Sequence, residues 1–541
     1  MNLLKKANLM AVGLLLLFAG CKKLDPYKDL SKITSTSWNP ILAVPVAHTE
    51  FGVYDILART DSTDLVIIDP VTGEIALTYK GEILSFRAEN LFDIPDFSES
   101  LRFSLLDLGP MPAISYSGTA STSETNSLVL CMVETGMEIH SVTFKSGSLD
   151  FSFSTDLKHD LTIEIEIPSL IVGGAPINES FELTYDGDVP QELARSIDLA
   201  GAIGDFTLDG MTVNEIEANY SITINGTGEE IVGTESFETS IGFTDINYKN
   251  ATGNFGMHSL GSYSDSILLR IFNNAIDGYF ELTNPKIRLE MINSFGFPVE
   301  VNLSDLKTVS EVTGETFVLD GYPSTISIPY PTEFGDDRSY LLELNKTNTT
   351  NISTIITPVP KYFHFAASGL ANPDGPPVTP NFIEDVSQFK INAEIELPLE
   401  GFAHGFQMVD TVEFDFSDDL EEVERVMFRL IINNGFPIDL SAGVTFVDED
   451  YTTLLTPTIG IENIVKSGRI NADGLVIDKT EQITDISIER LDVPKLKHAK
   501  YIIIRADAET ANGINGEIVK LYDFYSLSIK LGMQVEGKLN F

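Results

Sequence analysis

The sequence predicts an all-β fold: several antiparallel β-sandwich domains of immunoglobulin-like type in tandem, with a few short helices. Three observations carry that expectation. Within residues 161–167, Leu161, Ile163, Ile165 and Ile167 alternate with Thr162, Glu164 and Glu166, the pattern of a sheet with one wet face. Residues 148–154 and 220–225 repeat it. Helical periodicity is scarce, and a strand–turn–strand block occurs twice.

The elements follow in chain order. Lys5 and Lys6 precede an apolar run over 7–19, broken by Asn8 and Gly13, and Phe18-Ala19-Gly20-Cys21 follows. This is the pattern of a bacterial lipoprotein signal peptide over 1–20, with Cys21 as the lipidated first mature residue. Acyl chains on Cys21 would hold the chain on a membrane at ~0.8 kcal/mol per buried CH₂. Lys22, not an acid, follows Cys21 directly, so the expected site is the outer membrane, with the periplasmic side and the cell surface both open. Residues 21–37 read as a tether.

Trp38, the single tryptophan, opens the folded part, and Pro40 and Pro45 require extended backbone there. Thr49 suits the N-cap of a short helix over 49–57. A hairpin is expected over 65–79, turning at Asp69-Pro-Val-Thr-Gly73. Further helices are expected at 190–197, with Pro190 in the first turn, and at 492–499. At roughly 100–200 residues per domain, the 541-residue chain divides into segments 38–140, 141–245, 246–375 and 376–541. The four prolines and one glycine of 371–380 mark the last boundary. The polar stretch 345–354 reads as a loop or an edge strand.

The repeated block is Ile292-Asn-Ser-Phe-Gly-Phe-Pro298 and Ile432-Asn-Asn-Gly-Phe-Pro437, with Gly296 and Gly435 139 residues apart. Its physical sense is a strand, a kink permitted by Asn and Gly, a proline that sets the exit, and a second strand. Duplication of a fold follows from it, with one module in each of the last two segments.

These modules resemble the β-sandwich of the late-embryogenesis-abundant type 2 family. The whole mature chain resembles large lipoproteins of the Bacteroidetes phylum, through residues 38–45, 256–298, 371–377 and 395–401. The first resemblance implies an immunoglobulin-like fold; neither implies an activity.

Charge and chemistry narrow the function. The formal charge is −45, which repels phosphate backbones and excludes a nucleic-acid partner. Cys21 serves the anchor, so Cys131 has no disulfide partner and reads as a core cysteine. No Gly-x-Ser-x-Gly, His-Glu-x-x-His, Walker or Cys-x-x-Cys motif occurs. The seven histidines, at 48, 140, 159, 258, 364, 404 and 498, are scattered. Eighty acids make any one carboxylate pair uninformative. Asp415 with 418–424, and Asp448-Glu-Asp450, could supply oxygens to Ca²⁺, although solvated turns explain both. Asp265-Ser-Ile267, Asp410-Thr-Val412 and Asp61-Ser-Thr63 are candidate O-glycosylation triplets.

The expected function is therefore a lipid-anchored, extracytoplasmic, non-enzymatic envelope protein without a cofactor, which binds a glycan or another envelope protein. A glycan-directed hydrolase is the alternative. The alternation from Tyr525 to Phe541 also admits an outer-membrane β-barrel or barrel accessory.

Overall fold

The computed structural model describes residues 37–38, 41–53, 65–105, 112–130, 136–269, 275–310, 313–357, 360–375, 380–413, 423–457, 465–537 and 539–540. Among them the chain is all-β, built of several antiparallel sheets. No helix among the described residues is long and apolar enough to cross a membrane.

Two compact units form. The larger comprises Val53–Phe406 and Asn512–Phe524; the smaller comprises Met1–Gly52, Gln407–Ala511 and Tyr525–Phe541. Both are discontinuous in sequence, and their pairings cross the boundaries expected at 140, 245 and 375. Local alternation reports that a segment is a strand, but it carries no information about a partner hundreds of residues away.

In the larger unit, Ser236–Asn254 pairs with Glu138–Thr155, Phe97–Ser104 and Asn381–Glu384. Asp160–Val172 lies between Ala175–Leu183 and Glu215–Asn225 in the same sheet. The predicted alternation holds here. Leu161, Ile163, Ile165 and Ile167 are buried, and Glu164 and Glu166 are exposed. Phe144, Leu149, Phe151, Phe206 and Phe243 fill the same dry side.

A five-stranded sheet runs Arg338–Leu344, Lys286–Asn293, Gln388–Pro398, Ile75–Arg87, Val66–Ile68. Its last two strands are the predicted hairpin. Asp69 closes the turn by accepting from the Val71 and Thr72 N–H groups at 2.8 and 2.9 Å, which holds its carboxyl below the ordinary range.

In the smaller unit, Ser526–Gly537 is an interior strand, flanked by Ile41–Gly52 and Val423–Asn434. Trp38 pairs with Leu539 through the backbone, while Phe541 lies outside the described residues. Pro45 is accommodated at a register shift against Ser526–Gly537, where a missing N–H does little harm.

Two helix expectations are corrected. Gln191–Asp198 is a strand on the edge of Glu138–Thr155, because that edge offers a full ladder of hydrogen bonds. The Gln191 amide also donates to the Leu157 and His159 carbonyls at 2.7 and 2.9 Å. Thr49 to Gly52 end the strand Ile41–Gly52; residues 54–57 lie outside the described set. The short helix near the C-terminus does form, as a 3₁₀ turn over Val493–His498. Val493 seats it against Leu455 and Ile488.

The two Gly-Phe-Pro modules share a hydrogen-bond pattern centred on asparagine. Asn293 and Asn434 each end a strand and are wholly buried. Each side chain accepts from the N–H two residues on: Phe295 at 3.0 Å and Phe436 at 2.9 Å. Each donates to the carbonyl four residues on: Phe297 at 3.0 Å and Ile438 at 2.8 Å. Each also reaches a distant loop carbonyl, at Pro329 (3.3 Å) and Lys466 (3.0 Å).

These asparagines are 141 residues apart, whereas the glycines are 139 apart. The asparagine is thus the shared pivot, and the glycines provide room. A Cβ on Gly296 would lie 2.1 Å from the Phe382 ring, and one on Gly435 would lie 2.7 Å from the Ser526 carbonyl.

The proline-rich stretch after 371 is anchored at both ends. Asn372 is buried, at φ +48°. It donates to the Gly256 carbonyl at 2.8 Å and to Asn381 Oδ1 at 2.9 Å. Residues 376–379 lie outside the described set.

Candidate functional site

The wet face of the five-stranded sheet carries a ladder of opposite charges. Alternation places Arg288 between the buried Ile287 and Leu289, so its side chain goes to the wet side. Register then sets it opposite Glu343 and Glu394. Arg288 Nε donates to Glu343 at 2.9 Å, and Nη1 donates to Glu394 at 2.8 Å and to Glu396. Lys286 Nζ reaches Glu396 at 2.9 Å, and Lys80 reaches Glu394 at 3.1 Å.

Burial pushes the Glu396 carboxyl up, but hydrogen bonds from Lys286 and Arg288 outweigh it and leave it below the ordinary carboxylate range. Asn345 and then Arg288 lower Glu343. Burial would depress Arg288, yet its carboxylate partners hold it above its ordinary value.

The ladder ends in an open groove of about 560 Å³, lined by the 67–76 hairpin, Asn284 and Pro285 with the adjoining Lys286, the 345–347 turn, and Glu396, Pro398 and Glu400. Glu400 accepts from Asn284 Nδ2 at 2.9 Å and lies 3.8 Å from Lys520. Lys520 donates to Glu74 at 2.9 Å, and the Tyr522 hydroxyl donates to the same oxygen at 3.3 Å. The Glu74 hydrogen bond leads the causes that raise Lys520 above its ordinary value. Lys520 arrives from the 512–524 segment of this unit, so the site draws on residues from 67 to 520. Ile67 and Ile68 form an apolar lip, 45% and 37% exposed.

A second concavity, about 480 Å³, lies on the wet face of the largest sheet. Ser98, Ser152, Ser196, Ser240 and Thr244 surround Asp150 there. Hydrogen bonds from the Ser196 hydroxyl first, then Thr244, hold the Asp150 carboxyl below its ordinary range.

The residues singled out from sequence fall elsewhere. Cys21, Cys131, Asp415, 418–422 and the 61–63 triplet lie outside the described residues. Glu424 forms an ion pair with Arg490. Asp448 Oδ1 accepts from the Asp450 and Thr452 N–H groups at 3.0 and 2.8 Å, which is a self-capped turn. No group of three or more His, Cys, Asp or Glu side chains is placed to hold a metal among the described residues.

Asp265-Ser-Ile267 lies within His258–Leu268, with Ile267 buried, and Thr411 is exposed in Glu400–Glu413. His159 is wholly buried, and His404 stacks on Tyr279 with centroids 4.9 Å apart. Sequence reasoning missed Glu74, Arg288, Glu396, Glu400 and Lys520. The signal available was the alternation of Ile287-Arg-Leu-Glu-Met291, which marks wet-face charges without saying which of them meet.

No protein-family model matches the chain, and no curated protein matches it in sequence. Among solved structures, a putative secreted protein from Parabacteroides distasonis aligns at 18% identity, covering 54% of this chain and 89% of that one with a TM-score of 0.26. The tandem CBM22 domains of Paenibacillus barcinonensis Xyn10C align at 8% identity, covering 57% and 100% with a TM-score of 0.15. The Desmodium yellow mottle tymovirus structure aligns at 9% identity, covering 29% and 90% with a TM-score of 0.16.

Proposed function

We propose that this chain is a lipid-anchored extracytoplasmic protein of the outer membrane that binds a ligand in the groove and does no chemistry on it. The supporting observation is the state of the groove carboxylates. Glu396 is tied to Lys286 and Arg288, Glu74 to Lys520 and Tyr522, and Glu400 to Asn284 and Lys520. A glycoside hydrolase needs one carboxylic acid held protonated as a proton donor. Glu396 is pushed the opposite way, as is Asp150 in the second concavity. Glu396 and Asp150, held ionised as acceptors, suit recognition.

The anchor rests on Cys21 and the apolar run before it. The shared asparagine geometry of the two modules supports their origin by duplication within this chain. The reading requires no cofactor and no nucleic-acid partner; the partners are the membrane, through the lipid, and a glycan or envelope protein.

Labelled palmitate and membrane fractionation test the anchor: Cys21→Ala is expected to lose the label and leave the membrane fraction. Incubation of the purified chain with a panel of oligosaccharides, read by reducing-end release, tests the absence of chemistry. Turnover that Glu396→Gln abolishes would overturn the proposal.

A further inference from the structure

We infer that the groove takes an uncharged, polyhydroxylated ligand, a neutral glycan chain. This rests on the groove being the ligand site.

The groove lining carries Asp69, Glu74, Glu396 and Glu400 against Lys286 and Lys346, and Lys520 and Arg288 stand directly behind the acids. Within a chain of formal charge −45, the groove is a place where the lining acids stand beside cations that partly offset them. Asp69 is consumed by its own turn, and the other three carboxylates by the cations and amides described above.

Beyond the exposed Lys346, an anionic ligand could gain a second cation only by drawing Lys286 or Lys520 out of existing pairs, stranding partly buried carboxylates. A cationic ligand would strand Lys520 and Arg288 in the same way. Breaking one side of a partly desolvated pair leaves the other charge without its partner, a cost that offsets the new contact. A hydroxyl group avoids both costs. It donates to the spare lone pairs of a carboxylate while its oxygen accepts from an ammonium N–H, and each carboxylate has about four acceptor sites. Ile67, Ile68 and Pro70 on the lip supply an apolar surface for the C–H faces of sugar rings. The volume, about 560 Å³, lies in the range of small-ligand sites.

Lys346 separates the ligand classes. It lines the groove, is exposed, and forms no ion pair among those described, so it is the cation an anionic ligand would use first.

The test is a binding titration of the full mature chain against three panels: neutral gluco-, manno- and galacto-oligosaccharides, uronic-acid oligosaccharides, and amino-sugar oligosaccharides. Wild type is compared with Lys346→Ala and Ile67→Asp, and circular dichroism checks that each variant is folded. The expected result is binding to a neutral series with little salt dependence. Affinity should fall by about tenfold or more in Ile67→Asp and by less than about twofold in Lys346→Ala. Binding confined to a charged panel, and abolished by Lys346→Ala or by salt, overturns the ligand class while leaving the groove as the site. Neutral binding that a folded Ile67→Asp variant leaves unchanged overturns the groove itself. No binding in any panel overturns the inference.

Discussion

Asn293→Ala should be among the most damaging single substitutions in the larger unit. The side chain is wholly buried and makes three hydrogen bonds, at 3.0, 3.0 and 3.3 Å, to the Phe295 N–H and to the Phe297 and Pro329 carbonyls. Truncation strands one buried N–H, which costs ~1–3 kcal/mol, and two carbonyls at ~0.5–1.5 kcal/mol each. The longest bond counts for less, so the sum is about 3 kcal/mol, a large part of the ~5–15 kcal/mol that holds a domain folded. Asn293→Asp should be no better at neutral pH, since a carboxylate cannot donate to the two carbonyls. The assay is guanidinium unfolding with hydrogen exchange, which localises the loss to the 293–298 turn and the loop at Pro329. Asn434→Ala should place the equivalent loss at 434–438 and the loop at Lys466. A cost below about 1 kcal/mol for Asn293→Ala, or wild-type stability in Asn293→Asp, would refute the pivot.

Other outcomes follow from the same geometry. Gly296→Ala places a Cβ 2.1 Å from the Phe382 ring and should cost about 3 kcal/mol by overpacking, read as a lowered denaturation midpoint. Arg288→Met leaves Glu343, Glu394 and Glu396 facing one another and should cost about 2 kcal/mol, between the values for exposed and buried pairs; a double-mutant cycle with Glu396→Gln measures the coupling. Burial holds the His159 imidazole below its ordinary 6.5, against the opposing pull of Glu229, Glu235 and Asp160. Its folded form is the neutral one, so its contribution is fully present above about pH 6.5 and is lost as pH falls through the depressed folded value. Unfolding midpoints at pH 7.5 and 5 should therefore differ more in wild type than in His159→Gln.

Alternation made the strands legible, because a residue's face depends only on its immediate neighbours: Leu161 to Ile167 point to the core as expected. The hairpin at Asp69 was legible for the same local reason. Gln191–Asp198 was not, since Pro190 and the short apolar spacing fit a helical turn, and only the open edge of Glu138–Thr155 selects a strand. The repeated Gly-Phe-Pro was visible, but the eye aligns on glycine and proline, whereas the hydrogen bonds align on asparagine. The groove was invisible: Glu74, Asn284, Glu396 and Lys520 are ordinary polar residues of turns and strands until strand register and chain return bring them together.

The sequence by itself determined the β class, the wet and dry faces of the strands, the absence of familiar catalytic motifs and the expectation of an anchor at Cys21, because these depend on residue type and short spacing. Tertiary structure alone decided which strands pair, that Ile41–Gly52 lies beside Ser526–Gly537, and that Glu74, Glu396 and Glu400 share one groove with Lys520. Such contacts close loops of hundreds of residues, and the free energy that selects them comes from burying whole faces at once. No short stretch of sequence contains that information.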